Sequence, residues 1–271
     1  MALRIVVCAK EVLDPDAVNN YALEGRLVIG DDGRSLTQSS IPRLMNAYDE
    51  QAIEAALRIR EAGVQCTITV VSVGEGQDIL KHAASLGIDE PVAIQADSGT
   101  LDQHGIAKLL AAFVTSRGGA DLVLCGRQAS DDDQGVVPAL LAEHLGVPAV
   151  TIARSVEATA AGGELGVRVV RVTPDGDETV TASAPVVVTI SNELGQARYP
   201  TMAGRMAARK KKIASVTTAE LGIAGEELRP RVTLAKQFVP TVKSSCEMIP
   251  GNAEEAARAL IARLRAESVV R

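Results

Sequence analysis

One segment carries more structural information than any other in the chain: Leu122-Val123-Leu124-Cys125-Gly126-Arg127-Gln128-Ala129-Ser130-Asp131-Asp132-Asp133-Gln134-Gly135-Val136-Val137-Pro138. It passes from an apolar run of strand length through a glycine into a polar loop and then into a helix, whose first turn tolerates the missing N–H of Pro138. Strand, polar turn and helix in this order form the repeating unit of a parallel α/β sheet. Such sheets bind ligands beyond the carboxyl ends of their strands, so this loop is the first candidate binding site.

The same alternation extends over the first two thirds of the chain. Most of the strand candidates are continuous runs of Val, Ile and Leu, as is typical of parallel strands covered on both faces. The predicted strands are Arg4–Cys8, Cys66–Val73, Pro91–Gln95, Asp121–Cys125 and Val186–Ile190. The predicted helices, recognised by helical spacing of apolar residues and by terminal glycines, are Asp49–Glu61, Gln77–Leu86, Gln103–Arg117 and Gly135–Leu145.

The pattern changes after Pro148. Three strand-like runs, Ala149–Glu157, Val167–Thr173 and Glu178–Ala182, are separated by turn residues and predict a small antiparallel excursion at an edge of the parallel core. Residues 198–212 are basic, and we expect them to be irregular. The sequence therefore predicts an α/β fold with a parallel, Rossmann-like core.

The C-terminal part has little periodicity of its own. Between Gly222 and Ile249 the pattern favours an extended arm, followed by a helix that Asn252 and Glu255 begin as a capping box and that ends near Arg265. Because an arm of this kind needs a surface to lie on, it indicates a partner chain. We expect two parts: an α/β domain over 1–221, and an arm with a helix over 222–271.

Composition narrows the class of function. The chain has 271 residues, 46% hydrophobic and 23% charged, with a net charge of −6, which gives no global attraction to nucleic acid or to an anionic membrane. Aromatic residues make up 2% and Trp is absent, which argues against a stacking platform for bases. The four cysteines form no CxxC pair, which favours a reducing compartment. The opening residues enter an apolar run too short for a signal or a membrane span, so we expect a cytoplasmic protein.

Catalytic patterns are missing from the sequence. His82, His104 and His144 fall in separate predicted helices and form no local metal-ligand pair. No HExxH or GxSxG sequence is present, and no nucleophile and base can be paired. The sequence therefore predicts a binding protein with no catalytic residues and no metal site.

The polar loop admits two readings from its residues alone. Gly126 allows close backbone approach, Arg127 supplies charge and Ser130 supplies a hydroxyl, which together favour a phosphate at a helix start. Asp131–Asp133 are also explained as helix caps in a solvated turn. Likewise, the basic residues Arg205 and 209–212 fit a solvated face, an acidic partner or a cofactor phosphate.

Several segments, in order along the chain, resemble the beta subunit of electron-transfer flavoproteins. The opening strand is similar to the family's first strand, and Asn46-Ala47-Tyr48-Asp49-Glu50 is similar to its Asn-Pro-Tyr-Asp-Glu motif, with Ala47 in place of Pro. Ser85–Asp89 resembles its Met-Gly-Ala-Asp stretch. Gly126-Arg127-Gln128-Ala129 resembles its adenosine-phosphate loop, and residues 198–212 resemble its signature.

The resemblance implies an adenine-nucleotide-hydrolase-like fold, an alpha-subunit partner that holds most of a redox-active FAD, and a second nucleotide inside this chain. That nucleotide is AMP in housekeeping members and a second FAD in bifurcating members. Electrons would pass from flavoprotein dehydrogenases, such as acyl-CoA dehydrogenases, to a quinone-linked oxidoreductase. Leu194 would be the exposed hydrophobic anchor that docks on dehydrogenases. The nucleotide contacts would be Cys8, Asn46, Ala47, Tyr48, Asp49, Val73, Gly126, Arg127, Gln128, Ala129, Ser130, Asp131, Asp132, Asp133, Gln134, Gly135, Val136 and Val137.

The chain departs from the family pattern after Asp133, where Gln134–Pro138 replaces a segment richer in hydroxyl and amide donors. The residues 101–104 lack a threonine common in bifurcating members, whereas the long arm around Phe238 is closer to bifurcating members. We expect AMP in preference to a second FAD. Two alternatives of other classes are a stand-alone nucleotide-binding stress-type regulator and an adenylating or hydrolytic enzyme on the same fold.

Overall fold

A nine-stranded sheet organises the protein in the computed structural model, which describes residues 2–74, 76–161, 164–239 and 246–270. Residues 1–237 form one unit and residues 238–271 form a second. The elements in chain order are β1 (Leu3–Cys8), β2 (Glu11–Leu13), α1 (Pro15–Leu23), β3 (Arg43–Met45), α2 (Ala47–Glu61), β4 (Cys66–Val73), α3 (Gln77–Ser85), β5 (Glu90–Gln95), α4 (Gln103–Ser116), β6 (Leu122–Gly126), α5 (Val136–Leu145), β7 (Ala149–Ala161), β8 (Glu164–Thr173), β9 (Gly176–Ser183), β10 (Val186–Ile190), α6 (Met202–Lys210), β11 (Ala214–Thr217) and α7 (Ala253–Ala266).

The large sheet has the strand order β11-β5-β4-β1-β6-β10-β7-β8-β9. Neighbouring strands from β11 to β7 run parallel, and β8 and β9 continue the sheet antiparallel at one edge. This confirms the predicted fold class, a parallel α/β core with an antiparallel excursion. β7 joins the two parts because it pairs with β10 near its start and with β8 along the rest of its length.

Each central strand is apolar on both faces because each face is covered by helices. On β1, Ile5 and Val7 belong to the hydrophobic cluster that includes α2 and α3, whereas Val6 and Cys8 belong to the cluster that includes α4 and α5. Alternation of side chains along a strand divides them in this way. The core is aliphatic, and Phe113 is the largest of its fully buried side chains.

One prediction about the chain after residue 197 is wrong. The segment expected to be irregular contains α6, which Thr201 begins by accepting a hydrogen bond from the N–H of Gly204. Only Ala208 of this helix is buried, so no apolar stripe marked it in the sequence. Beyond residue 222, the N–H groups of Arg231 and Val232 donate to the buried Asp102 carboxylate at the start of α4.

Other short elements were not predicted. α1 follows Asp14, whose side chain accepts from two N–H groups of the first turn, with Pro15 at the first helical position. β2 and β3 form a separate antiparallel pair, and β11 pairs with β5 at the edge of the large sheet. The sequence held a signal for α1, since an acidic cap followed by Pro is typical of a helix start.

The unit 238–271 contains the one helix that was predicted there. Asn252 accepts hydrogen bonds from the N–H groups of Glu254 and Glu255, and the Glu255 carboxylate accepts from the Asn252 N–H, which confirms the capping box. No residue of α7 is buried. In the part of the chain that the structure describes, no helix combines the length and apolar character needed to cross a bilayer.

Candidate functional site

A cavity of about 520 Å³ opens at the carboxyl ends of β1, β4 and β6, where the sequence predicted a ligand site. Its volume lies within the usual range for small-molecule sites. It receives 11 of the 18 predicted nucleotide contacts: Cys8, Asn46, Asp49, Val73, Gly126, Gln128, Ala129, Asp131, Asp132, Gln134 and Val137. Ala47, Tyr48, Arg127, Ser130, Asp133, Gly135 and Val136 do not line it.

Hydrogen bonds from the start of α2 hold the polar loop after β6 close to the end of β1. The Asn46 side chain donates to the Gln128 carbonyl at 2.9 Å and accepts from the Ser130 N–H at 3.0 Å. The Asp49 carboxylate accepts from the N–H groups of Lys10 and Gly126, both at 2.8 Å. Asn46 therefore positions the loop and makes no side-chain cap on α2.

Asp49 is a buried carboxylate held mainly by neutral donors. Burial raises its pKa to about 6, and the hydrogen bonds from Lys10 N, Gly126 N and Asn46, with the nearby Lys10 charge, only partly oppose that rise. A carboxylate that titrates near neutrality is therefore fixed in the wall of the cavity.

Gly126 is required by packing against α2. A Cβ at this position would lie 2.5 Å from Asp49 Oδ1 and 2.6 Å from Tyr48 Cβ. The sequence-based argument gave this glycine the role of admitting a ligand, but the structure shows that the helix start itself occupies the space. Gly135 is confined in a similar way, because a Cβ there would lie 2.6 Å from the Arg127 carbonyl oxygen.

The charges around the loop differ from those expected. Arg127 does not reach the cavity: its guanidinium lies 5.4 Å from the centre of the Tyr48 ring and donates to Gln128. Lys10, which sequence reasoning missed, instead reaches the loop, and its Nζ lies 2.8 Å from Asp131 and 3.6 Å from Asp132. Lys10 thus offsets the charges of Asp131 and Asp132, two of the carboxylates that line the cavity.

The polar loop ends at Asp133 and at the start of α5. Asp133 accepts from the Gln128 side chain at 2.7 Å and has a positive φ of 54°, a conformation that Asp tolerates better than most residues. No side chain caps α5, whose residues Val137 and Pro138 line the cavity. The positive end of the helix dipole and its unsatisfied N–H groups therefore favour an anion at this end of the cavity.

Sequence reasoning also missed part of the cavity wall. Ser98 and Gly99 follow β5, Asp102 caps α4, and Leu234 comes from the chain beyond β11. Only Asp102 had a local signal, as an acidic residue directly before a helix. The others come from loops that share one edge of the sheet only once the strand order is known.

A second group of contacts holds the loop 192–198 against α2. Arg58 donates to the Leu194 carbonyl at 2.9 Å, and Arg198 donates to Glu54 at 2.6 Å and to Glu61 at 2.5 Å. Burial acts to raise the pKa of Glu54, but hydrogen bonds from Arg198 and Arg58 outweigh it and leave that pKa below its usual value. We call this set of α2 side chains with Arg198 the α2 clamp.

Leu194 itself is buried. Its side chain is 7% exposed and belongs to the cluster that contains α2, so the expectation of an exposed leucine is wrong for this chain. Gln51 adds to the restraint, since its amide donates to the carbonyls of Asn192 and Gly195.

The histidines and cysteines are distributed over several elements of the fold. His82, His104 and His144 lie on α3, α4 and α5, as predicted. Within the described ranges, no group of three or more His, Cys, Asp and Glu side chains is arranged to hold a metal ion. The cysteines Cys8, Cys66, Cys125 and Cys246 are all free.

Comparison with known proteins places the chain in one family. A family model, the electron transfer flavoprotein domain, matches residues 35–221. The chain is 32% identical to the electron transfer flavoprotein subunit beta of Thermoanaerobacterium thermosaccharolyticum over 99% of this chain and 100% of that one. It is 32% identical to the corresponding subunit of Bacillus subtilis, covering 84% and 88%, and 28% identical to that of Bradyrhizobium diazoefficiens, covering 99% and 100%. The chain therefore belongs to the electron transfer flavoprotein family, as a beta subunit.

Proposed function

We propose that this chain is the beta half of a heterodimer with an electron-transfer flavoprotein alpha subunit, that it holds AMP in its cavity, and that the pair shares one FAD. Electrons pass from flavoprotein dehydrogenases, such as acyl-CoA dehydrogenases, through this FAD to a quinone-linked oxidoreductase in the cytoplasm. The observation that carries the proposal is the cavity at the carboxyl ends of β1, β4 and β6, bounded by the predicted adenosine-phosphate loop.

The cavity has the chemistry that an adenosine monophosphate needs. Val73, Ile106 and Leu110 supply an apolar wall for a base, while Lys10 and the uncapped start of α5 supply positive potential for a phosphate. The carboxylates of Asp131 and Asp132 are already paired with Lys10, which reduces their repulsion of an anion. The cavity volume of about 520 Å³ is in the range of small-molecule sites, which supports a mononucleotide as the ligand.

The redox chemistry in this proposal is supplied by the flavin, and the chain contributes placement and electrostatics. Asn46 and Asp49 fix the loop that faces the nucleotide. The α2 clamp fixes the 192–198 loop at the far side of the same helix. One rigid helix therefore sets the position of both regions.

The composition of the complex tests the proposal. We would co-produce the chain with an alpha subunit, denature the purified complex, and measure flavin by absorbance and AMP by chromatography. One FAD and one AMP per heterodimer is the expected result. Two FAD and no AMP would establish the bifurcating alternative, which the long C-terminal part of the chain favours. A colourless chain that is stable alone and binds ATP would instead identify a stress-type regulator.

Docking of dehydrogenases through Leu194 is a separate part of the proposal. Because the side chain is buried, a partner can contact it only if the 192–198 loop releases from α2. We expect Leu194→Ala to slow reduction of the bound flavin by an acyl-CoA dehydrogenase. Leu109→Ala is the matched control, because it also truncates a buried leucine, on α4. Equal slowing by both variants would remove Leu194 from the docking surface.

A further inference from the structure

Two cysteines lie side by side in the floor of the cavity. Cys8 ends β1 and Cys125 is the penultimate residue of β6, the neighbouring parallel strand. Val7 pairs with Leu124 in this register, so Cys8 and Cys125 occupy the next cross-strand position. Both belong to the same hydrophobic cluster and both line the cavity, so their thiols share one face of the sheet.

The row of residues across the sheet confirms this placement. Cys8 is paired with Val71 of β4 on one side, and Cys125 is paired with Thr189 of β10 on the other. Neighbouring strands lie about 4.8 Å apart. That separation falls within the range of Cα–Cα distances, roughly 4.4–6.8 Å, that a disulfide can bridge.

The surroundings of Cys125 hold its thiol in the protonated form. Hydrogen bonding with Cys8, followed by burial, raises the pKa of the Cys125 thiol well above its usual value, and the nearby charge of Asp49 acts in the same direction. Cys125 therefore stays protonated, and its sulfur must give up that proton when it attacks.

We propose that Cys8 and Cys125 are a dithiol that a peroxide oxidant entering the cavity converts into an intramolecular disulfide. Cys8 gives up its proton as its sulfur attacks one peroxide oxygen, so that an S–O bond forms and the O–O bond breaks, and the departing hydroxide takes up that proton and leaves as water. Cys125 then attacks the Cys8 sulfur, the S–S bond forms, and the S–O bond breaks to release a second water. The two thiols lose two electrons and two protons in total, and one hydrogen peroxide is reduced to two waters.

The other two cysteines are placed differently. Cys66 begins β4 and pairs with Leu3, at the opposite end of the strands from the cavity. Cys246 is exposed in the second unit. A double variant, Cys66→Ser with Cys246→Ser, therefore removes competing thiols and leaves the buried pair in place.

The test treats this full-length double variant with hydrogen peroxide, alkylates it under denaturing conditions, and maps non-reduced peptides by mass spectrometry. We expect loss of both alkylation sites, a peptide linking Cys8 to Cys125, and recovery of both sites after dithiothreitol. Adding Cys8→Ser to the double variant should abolish the linked peptide and leave a single cysteine that cannot pair within the chain.

Two results would overturn the proposal. One is that both cysteines remain alkylatable after peroxide has oxidised a surface methionine such as Met202, which shows that the oxidant was active. The other is oxidation of the pair to sulfinic or sulfonic acids without any linked peptide. Both readouts are independent of nucleotide or flavin content.

Discussion

Two buried carboxylates on α2 show how one helix serves two regions in different ways. Asp49, at the cavity, accepts hydrogen bonds from backbone N–H groups, and burial raises its pKa to about 6. Glu54, in the α2 clamp, accepts from the guanidinium groups of Arg58 and Arg198 and has a lowered pKa. In the α2 clamp, the charge of Glu54 is neutralised by the two guanidinium groups. In the cavity wall, the charge of Asp49 changes with pH, because no cation among the described residues is hydrogen-bonded to it.

The two carboxylates affect stability in opposite directions as pH changes. Asp49 has a raised pKa in the folded state, so its stabilising contribution is present at low pH and is lost as pH rises through about 6. Glu54 has a lowered pKa in the folded state, so its contribution is present above the ordinary Glu range and is lost as pH falls. Variants at Asp49 and at the α2 clamp should therefore change the pH dependence of stability in opposite directions.

We expect Gly126→Ala to lower the free energy of unfolding more than any other substitution considered for these two regions. The new methyl group would meet Asp49 Oδ1 and the Tyr48 backbone, which cannot move without displacing the start of α2. We expect a loss of about 3 kcal/mol or more in the free energy of unfolding, measured by urea denaturation. Gly225→Ala is the control, because a Cβ there meets nothing within 4 Å, and we expect a change below about 0.5 kcal/mol. If both substitutions changed the unfolding free energy equally, Gly126 would not be tightly packed against the start of α2.

We expect the second-largest loss of unfolding free energy from Arg198→Ala. It leaves the nearly buried Glu54 with Arg58 as its one guanidinium partner, and breaking a buried pair costs about 3 kcal/mol at neutral pH. The loss should shrink as pH falls, since protonated Glu54 needs no cation. For comparison, Arg168→Ala breaks an exposed pair with Glu157 and should change the unfolding free energy by less than about 1 kcal/mol. A pH-independent loss would contradict the assignment.

Asp49→Asn should change the shape of the pH profile of stability. From a folded pKa of about 6 and an ordinary value of 3.8, the wild-type contribution falls by about 2 kcal/mol between pH 4.5 and pH 7. The variant should lack this component, so it should be more destabilised relative to wild type at pH 4.5 than at pH 7. Urea titrations at the two pH values measure the difference, and parallel profiles would exclude a raised pKa at this site.

The smallest expected effect on stability is that of Lys10→Met. Its ion pairs with Asp131 and Asp132 are partly exposed, so the unfolding free energy should change by less than about 1 kcal/mol. The affinity for AMP should nevertheless fall about tenfold, because two carboxylates in the cavity lose their counter-ion, a difference of about 1.4 kcal/mol. Calorimetric titration of AMP into each protein tests this. An unchanged affinity would place the phosphate away from the loop.

The central sheet could be predicted from the sequence because its strands are short apolar runs that can be recognised without knowing their neighbours. Cys66–Val73 and Val186–Ile190 have the bounds that the apolar runs predicted, since strands covered on both faces are rich in Val, Ile and Leu. α6 could not be predicted in the same way. Met202 and Met206 are exposed on it, so its apolar residues do not report a buried face.

The candidate site could be predicted in outline but not in detail. The loop after β6 was found because a glycine and polar residues follow an apolar run at the carboxyl end of a strand. The direction of Arg127 and the approach of Lys10 depend on contacts with Tyr48 and Asp131, which lie far away in the sequence. The burial of Leu194 likewise depends on the α2 clamp, whose members on α2 are separated from it by more than a hundred positions.

The position of β1 has a consequence for how the protein is made. It is the first strand of the chain and a central strand of the sheet, between β4 and β6. β10, which completes the far side of β6, is made after all of them. In a growing polypeptide β1 can pair with β4 early, but the far side of the aliphatic strand β6 stays unpaired until β10 has left the ribosome, and contacts between such distant segments form slowly. Chaperone dependence during synthesis and poor yield of C-terminally shortened chains follow from this strand order.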